Sequence, residues 1–155
     1  MMVVTQLASF RDPLFTSDAA MEFARDLEWS NRVGSFDRLE RAAFIVDDGE
    51  GGLRCVAWPA TQEHEQATFR GSMPLGTIAI IHTHPVTVQW PSLHDEKESL
   101  RLGIPIYVLT PRSITKATAG HQPVMVHDGN WLDPAPTGHP CNPPAPRASR
   151  ATAAE

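Results

Sequence analysis

Cysteine is scarce in this sequence: Cys55 and Cys141 are the only two, and they form no C-x-x-C pair. A disulfide scaffold, a zinc ribbon and a thioredoxin-like redox site are thereby excluded, and reduced thiols are expected. Positive charge is short as well, with 13 Lys and Arg against 18 Asp and Glu and a formal net charge of -5 at pH 7. No basic run supplies the electrostatic footprint that nucleic acid requires, so DNA and RNA are not expected partners. Long apolar runs are missing too. Stretches such as Ile78 to Ile81 fall far short of the roughly 20 residues a membrane helix needs, and no bilayer crossing is expected. The opening MMVVTQLASF has neither a basic n-region nor a long apolar h-region, so no secretory signal is read and a cytoplasmic location is the expectation. Several hydrolase signatures also fail. His64-Glu65 is followed by Gln66, Ala67 and Thr68 rather than completing H-E-x-x-H, and neither a P-loop nor G-x-S-x-G occurs. The P-C-x-x-C of zinc deaminases is begun by Pro140-Cys141 but not completed.

What is present is ordinary globular composition, 155 residues with 41% hydrophobic and 20% charged. A chain this long buries roughly two-thirds of its unfolded surface, so it can hold a fold together without disulfides or an obligatory partner, and a metal in it need not be structural. From Asp133 to Glu155 the sequence holds six of the fourteen prolines, six alanines and no large aliphatic or aromatic residue. Such a tail builds no core and suits an extended or disordered segment. Residues 1–132 are therefore read as one folded domain and 133–155 as a flexible tail. Thr16 or Ser17 caps a helix from Asp18 to about Ser30, because Ala20, Phe23, Ala24 and Leu27 recur at helical spacing. The runs at 42–46 and 53–58 flank the turn DDGEGG and read as a hairpin. The run at 77–81, after Pro74 and Gly76, reads as a strand buried on both faces. SLHDEKESLRLG has a Ser cap, early acids and a closing Gly103, which predicts a helix. Strands follow at 104–110, 113–117 and 124–127. The fold class is mixed α/β.

The stretch HTHPVTVQWPSLHD, from His82 to Asp95, carries the chemistry. Two histidines two apart at the end of a strand place both imidazoles on one side. Asp95 falls in the first turn of the next helix, where a strand-loop-helix return brings its carboxylate back to the strand end. Two imidazoles and one carboxylate leave a tetrahedral zinc ion one open position for water, the mark of a catalytic site. Two plainer readings stand beside this one. An isolated H-x-H is commonly a surface or hydrogen-bonded pair, and Ser92 to Asp95 also matches an S-x-x-D capping box. The second is compatible with the first, since an aspartate held at a helix start is a pre-oriented ligand.

HTHP followed by PSLHD resembles the signature of the JAMM (MPN+, Mov34/PAD-1-type) zinc metalloproteases. The resemblance spans the first helix to about Leu109 and leaves the tail outside. It implies a curved mixed β-sheet flanked by helices, of the JAMM/MPN, cytidine-deaminase-like kind. It also implies one Zn²⁺ per chain on His82, His84 and Asp95, with Ser92 stabilising the oxyanion. The implied activity is hydrolysis of a peptide or isopeptide bond at the C-terminal junction of a ubiquitin-like or sulfur-carrier protein, the expected partner. An upstream glutamate is implied as the base. Glu22, Glu28 and Glu40 compete, and Glu40 is chosen because it stands immediately before Arg41 and the strand AAFIV. The family commonly carries a glycine-containing segment here, from which AAF departs. Two alternatives remain open, a non-catalytic MPN-type binding scaffold and a zinc amidase acting on small peptides or cell-wall fragments. His94 is expected to face solvent, and His64, His121, His127 and His139 lack ligand-like spacing. Trp90 and Pro91 are expected to shape the loop over the site, and Cys55 to be buried.

Overall fold

Among the described residues, the β-branched runs pair edge to edge into one six-stranded sheet. The computed structural model describes residues 12–33, 41–58, 73–84 and 88–132, with the backbone alone for 29–33. Its strands are β1 (Ala42–Asp47), β2 (Leu53–Ala57), β3 (Thr77–Thr83), β4 (Ile106–Thr110), β5 (Ser113–Ala117) and β6 (Val124–Asp128). They lie in the order β2-β1-β3-β4-β5-β6. Every neighbouring pair is antiparallel except β3 and β4, which run parallel. A parallel pair cannot be closed by a tight hairpin and needs a crossover. Here it contains the short helix α2 (Leu93–Leu102), while α1 (Asp18–Val33) precedes the sheet.

Alternation along the strands sorts side chains onto two faces. Ala43, Ile45, Ala79 and Ile81 share a core with Ala24 and Leu27 of α1. Phe44, Val46, Ile80 and Ile106 form a second core with Leu102 and Ile104 at the end of α2. His82 has the parity of Ile80 and so belongs to the α2 face. Asp12 ties the turn before α1 to the sheet. Its carboxylate accepts from the backbone N–H groups of Leu14 and Phe15, from the Tyr107 hydroxyl at 2.9 Å and from Lys116 Nζ at 2.9 Å.

Six boundaries differ from expectation, and two of these are single-residue extensions of β1 to Asp47 and of β6 to Asp128. α1 continues to Val33, and β3 runs past Ile81 to include His82 and Thr83. There the ladder persists, because Ala42 and Val108 flank His82 and Thr83 N–H donates to Arg41 O at 2.8 Å. β4 starts at Ile106 rather than Ile104, just after Pro105, which has no N–H for a ladder. β2 stops at Ala57, one residue before Trp58.

Cys55 corrects a chemical expectation. It is buried as expected but disulfide-bonded rather than a reduced thiol. The other cysteine, Cys141, lies outside the described residues, as do the tail 133–155, Glu40, His64 and His139. Among the described residues, no helix is long and apolar enough to cross a membrane.

Candidate metal centre

The end of β3 and the start of α2 meet on one face of the sheet. His82 is the next-to-last residue of β3, and His84 continues the pairing by donating its backbone N–H to Leu109 O at 3.0 Å. Two residues apart, the rings lie side by side with centroids 4.7 Å apart. Ser92 takes an extended conformation, φ -81 and ψ 170, and caps α2. Asp95 N–H donates to Ser92 Oγ at 3.1 Å, and Ser92 N–H donates to Asp95 Oδ2 at 2.7 Å. This reciprocal box fixes the Asp95 carboxylate before any ligand arrives.

The carboxylate faces both imidazoles. Asp95 Oδ1 is 3.3 Å from His82 Nε2, and Asp95 Oδ2 is 3.3 Å from His84 Nε2. All three residues are buried, and one ligand atom from each lies within 4.8 Å of the others. Although close to Asp95, His82 Nε2 makes no well-directed hydrogen bond among the described residues. An unsatisfied buried polar atom costs about 1–3 kcal/mol, and a shared cation beside it removes that cost. The donor set, two imidazole nitrogens and a carboxylate oxygen, fits a divalent cation such as zinc.

The second nitrogen of His84 is engaged as well. Nδ1 lies 3.1 Å from Val88 O. A carbonyl only accepts, so the proton is on Nδ1 and the Nε2 lone pair is directed at the centre. Burial is the largest influence on Asp95 and opposes its ionisation. The neighbouring imidazoles, His82 before His84, and the Ser92 N–H outweigh it and hold the carboxyl well below the usual carboxylate range.

The structure thus brings together His82, His84, Asp95 and Ser92. Glu22 and Glu28 belong to α1, on the opposite side of the sheet. Glu22 pairs with Arg25 at 3.1 Å, and Glu28 is fully buried on the same stripe as Ala20 and Ala24. His94, His121 and His127 are exposed. Trp90 is exposed on the loop leading to Ser92, together with Val88. The Val88 carbonyl went unread in the sequence, because a backbone acceptor leaves no trace in residue identity.

Ser92 Oγ serves the cap as an acceptor, which leaves its O–H as a donor for a ligand at the centre. His82, His84 and Asp95 can together hold a metal ion. Comparison with protein-family models, curated proteins and solved structures finds no match to this chain.

Proposed function

We propose that this chain is a zinc-dependent metallopeptidase or isopeptidase of the JAMM/MPN+ kind. Its substrate is an amide bond at the C-terminal junction of a ubiquitin-like or sulfur-carrier protein. The observation that carries the reading is the convergence of buried His82, His84 and Asp95 where β3 hands over to α2. The substrate class rests on the resemblance of HTHP and PSLHD to that family's signature, and so does the finer fold assignment. The sequence of helix, hairpin, strand, helix and further strands is compatible with it.

His82, His84 and Asp95 hold the ion. When bound, zinc supplies a water acidic enough to attack at neutral pH and polarises the scissile carbonyl. Ser92 donates its O–H to the oxygen that gains charge, a contribution of about 10²- to 10³-fold in rate for one such donor. Glu40 accepts a proton from the attacking water and returns it to the leaving amine. The Asp95 carboxylate stays ionised throughout, held by the Ser92 N–H and the two imidazoles.

The test uses the purified chain, zinc, and a ubiquitin-like domain carrying a C-terminal peptide or isopeptide extension. The wild type is expected to bind one zinc and cleave at the junction. His84→Ala loses zinc and cleavage, whereas Glu40→Gln keeps zinc and loses cleavage. A wild type that takes up no zinc overturns the metal centre. Zinc binding with cleavage of short amides alone moves the substrate to the small-peptide class, and zinc binding without any hydrolysis leaves a binding scaffold.

A further inference from the structure

A loop that must hold a metal ligand still needs an anchor of its own. The segment from Val88 to Ser92 leads into α2, and its Val88, Gln89 and Trp90 side chains are exposed. Apolar burial of those side chains therefore does not fix it. Among the described residues, three polar contacts hold it. Val88 O accepts from His84 Nδ1 at 3.1 Å, Ser92 is locked in the capping box with Asp95, and Gln89 O accepts from Thr115 Oγ1 at 2.6 Å. The third comes from a residue far along the chain with no other assigned task.

Thr115 is fully buried in β5. Register places it opposite Val108, which is itself opposite His82, so one row of the sheet runs His82, Val108, Thr115. Residues in one row share a face. Thr115 therefore stands on the metal-site face, two strands from His82. The pairing of β5 with β6 shifts between Ile114 and Thr115, and such bulges re-aim side chains beside functional sites.

We propose that Thr115 is a positioning residue of the metal centre. By gripping the Gln89 carbonyl, its hydroxyl holds the adjacent Val88 carbonyl against His84 Nδ1 and keeps the His84 Nε2 lone pair on the ion. The inference rests on the metal-holding part of the proposed function and on nothing about the substrate. It separates Thr115 from an ordinary satisfied core hydroxyl, because the consequence of its loss falls on metal affinity rather than on folding.

Zinc affinity is measured by competition with a chromophoric chelator for the wild type, Thr115→Val and Thr115→Ser, alongside the thermal midpoint of each metal-free protein. Thr115→Val keeps the shape and removes the donor. It is expected to weaken zinc binding about 10- to 100-fold, the usual effect of losing an outer-shell partner, with the metal-free midpoint close to wild type. Thr115→Ser restores affinity. Unchanged affinity in Thr115→Val, or an equal loss in Thr115→Ser, overturns the proposal while leaving the metal centre standing. A wild type without zinc affinity overturns both. Should Thr115→Val fail to fold, ¹⁵N NMR of the zinc-loaded wild type decides the matter. A proton on His84 Nδ1 that exchanges slowly supports the strut, and a proton on Nε2 overturns it.

Discussion

Ser92 and Asp95 exchange hydrogen bonds, Asp95 N–H to Ser92 Oγ at 3.1 Å and Ser92 N–H to Asp95 Oδ2 at 2.7 Å. On the proposed function one serine has two separable tasks, since capping uses its oxygen as an acceptor and the proposed catalysis uses its O–H as a donor. Ser92→Ala removes both, with an expected loss of about 0.5–2 kcal/mol of stability and of about 10²- to 10³-fold in turnover. Ser92→Asn separates them, because asparagine caps as well as serine but places no hydroxyl at the site. Chemical denaturation of Ser92→Asn is expected to match the wild type while hydrolysis falls as in Ser92→Ala. Normal turnover in Ser92→Asn would exclude the hydroxyl from the reaction.

On the proposed metal centre, Asp95 would make zinc a folding ligand. Its side chain belongs at once to the helix cap and to the ion site, and the unfolded chain has no such preformed set. At free zinc of about 100 times Kd, linkage adds about 2.7 kcal/mol, which for a chain of this size raises the thermal midpoint by about 5–11 °C. Asp95→Asn keeps an oxygen for the cap and loses the charge, so its midpoint should not respond to zinc. The shift in the wild type should shrink as pH falls, because imidazoles bind metal only when neutral. Calorimetry with zinc and with chelator checks both. Equal shifts in wild type and Asp95→Asn would place the ion elsewhere.

Tyr107 is the only tyrosine in the chain, so tyrosinate absorbance reports it alone. Burial is the main cause of a raised pKa, followed by the charge of Asp12 and the hydrogen bond to it. Above pH about 10 an exposed tyrosine ionises, while folded Tyr107 keeps its proton. Unfolding then releases a proton, and stability falls as pH rises, by up to about 1.4 kcal/mol for each unit. Below pH 10 this residue gives no pH dependence. A spectrophotometric titration should show no tyrosinate in native protein until the chain unfolds. Tyr107→Phe should lose the alkaline slope while being less stable at neutral pH, because Asp12 loses one donor. A normal titration midpoint in native protein would contradict this burial.

Strands and helices were legible wherever apolar period and punctuation agreed. The Ser92 cap and Gly103 stop bound α2 as read, and the capping box and the ligand triad were both visible as spacing within one stretch. What spacing could not reveal was long-range. The row that sets Thr115 on the face of His82 depends on strand order, which residue identity does not encode. The bonding of Cys55 is likewise a matter of what approaches it in space rather than of residue identity. Glu40 was preferred to Glu22 and Glu28 on sequence context alone, and the placement of α1 on the opposite face then separates those two from the site. His82 was expected just beyond a strand that in fact includes it, because ladder partners on both sides extend β3 past its apolar run.

Two glycines test how rigidly β3 and α2 are held. Both have left-handed backbones, φ 85 at Gly76 and φ 72 at Gly103, a region that costs other residues roughly 1–2 kcal/mol. Gly103 closes α2 by donating its N–H to Ser99 O at 2.9 Å, and a Cβ there meets nothing within 4 Å. Gly103→Ala is therefore expected to cost only the conformational penalty. At Gly76 a Cβ falls 2.6 Å from the backbone carbonyl of Asp47, on the strand whose N–H bonds Gly76 O at 2.9 Å. Backbone cannot rotate away as a side chain does, so Gly76→Ala must also displace β1 from β3. Urea denaturation should rank Gly76→Ala well below Gly103→Ala, with a loss beyond 2 kcal/mol for the former. Equal losses would show that the start of β3 yields without resistance, and the strand could then not be the rigid support that the two histidines at its far end require.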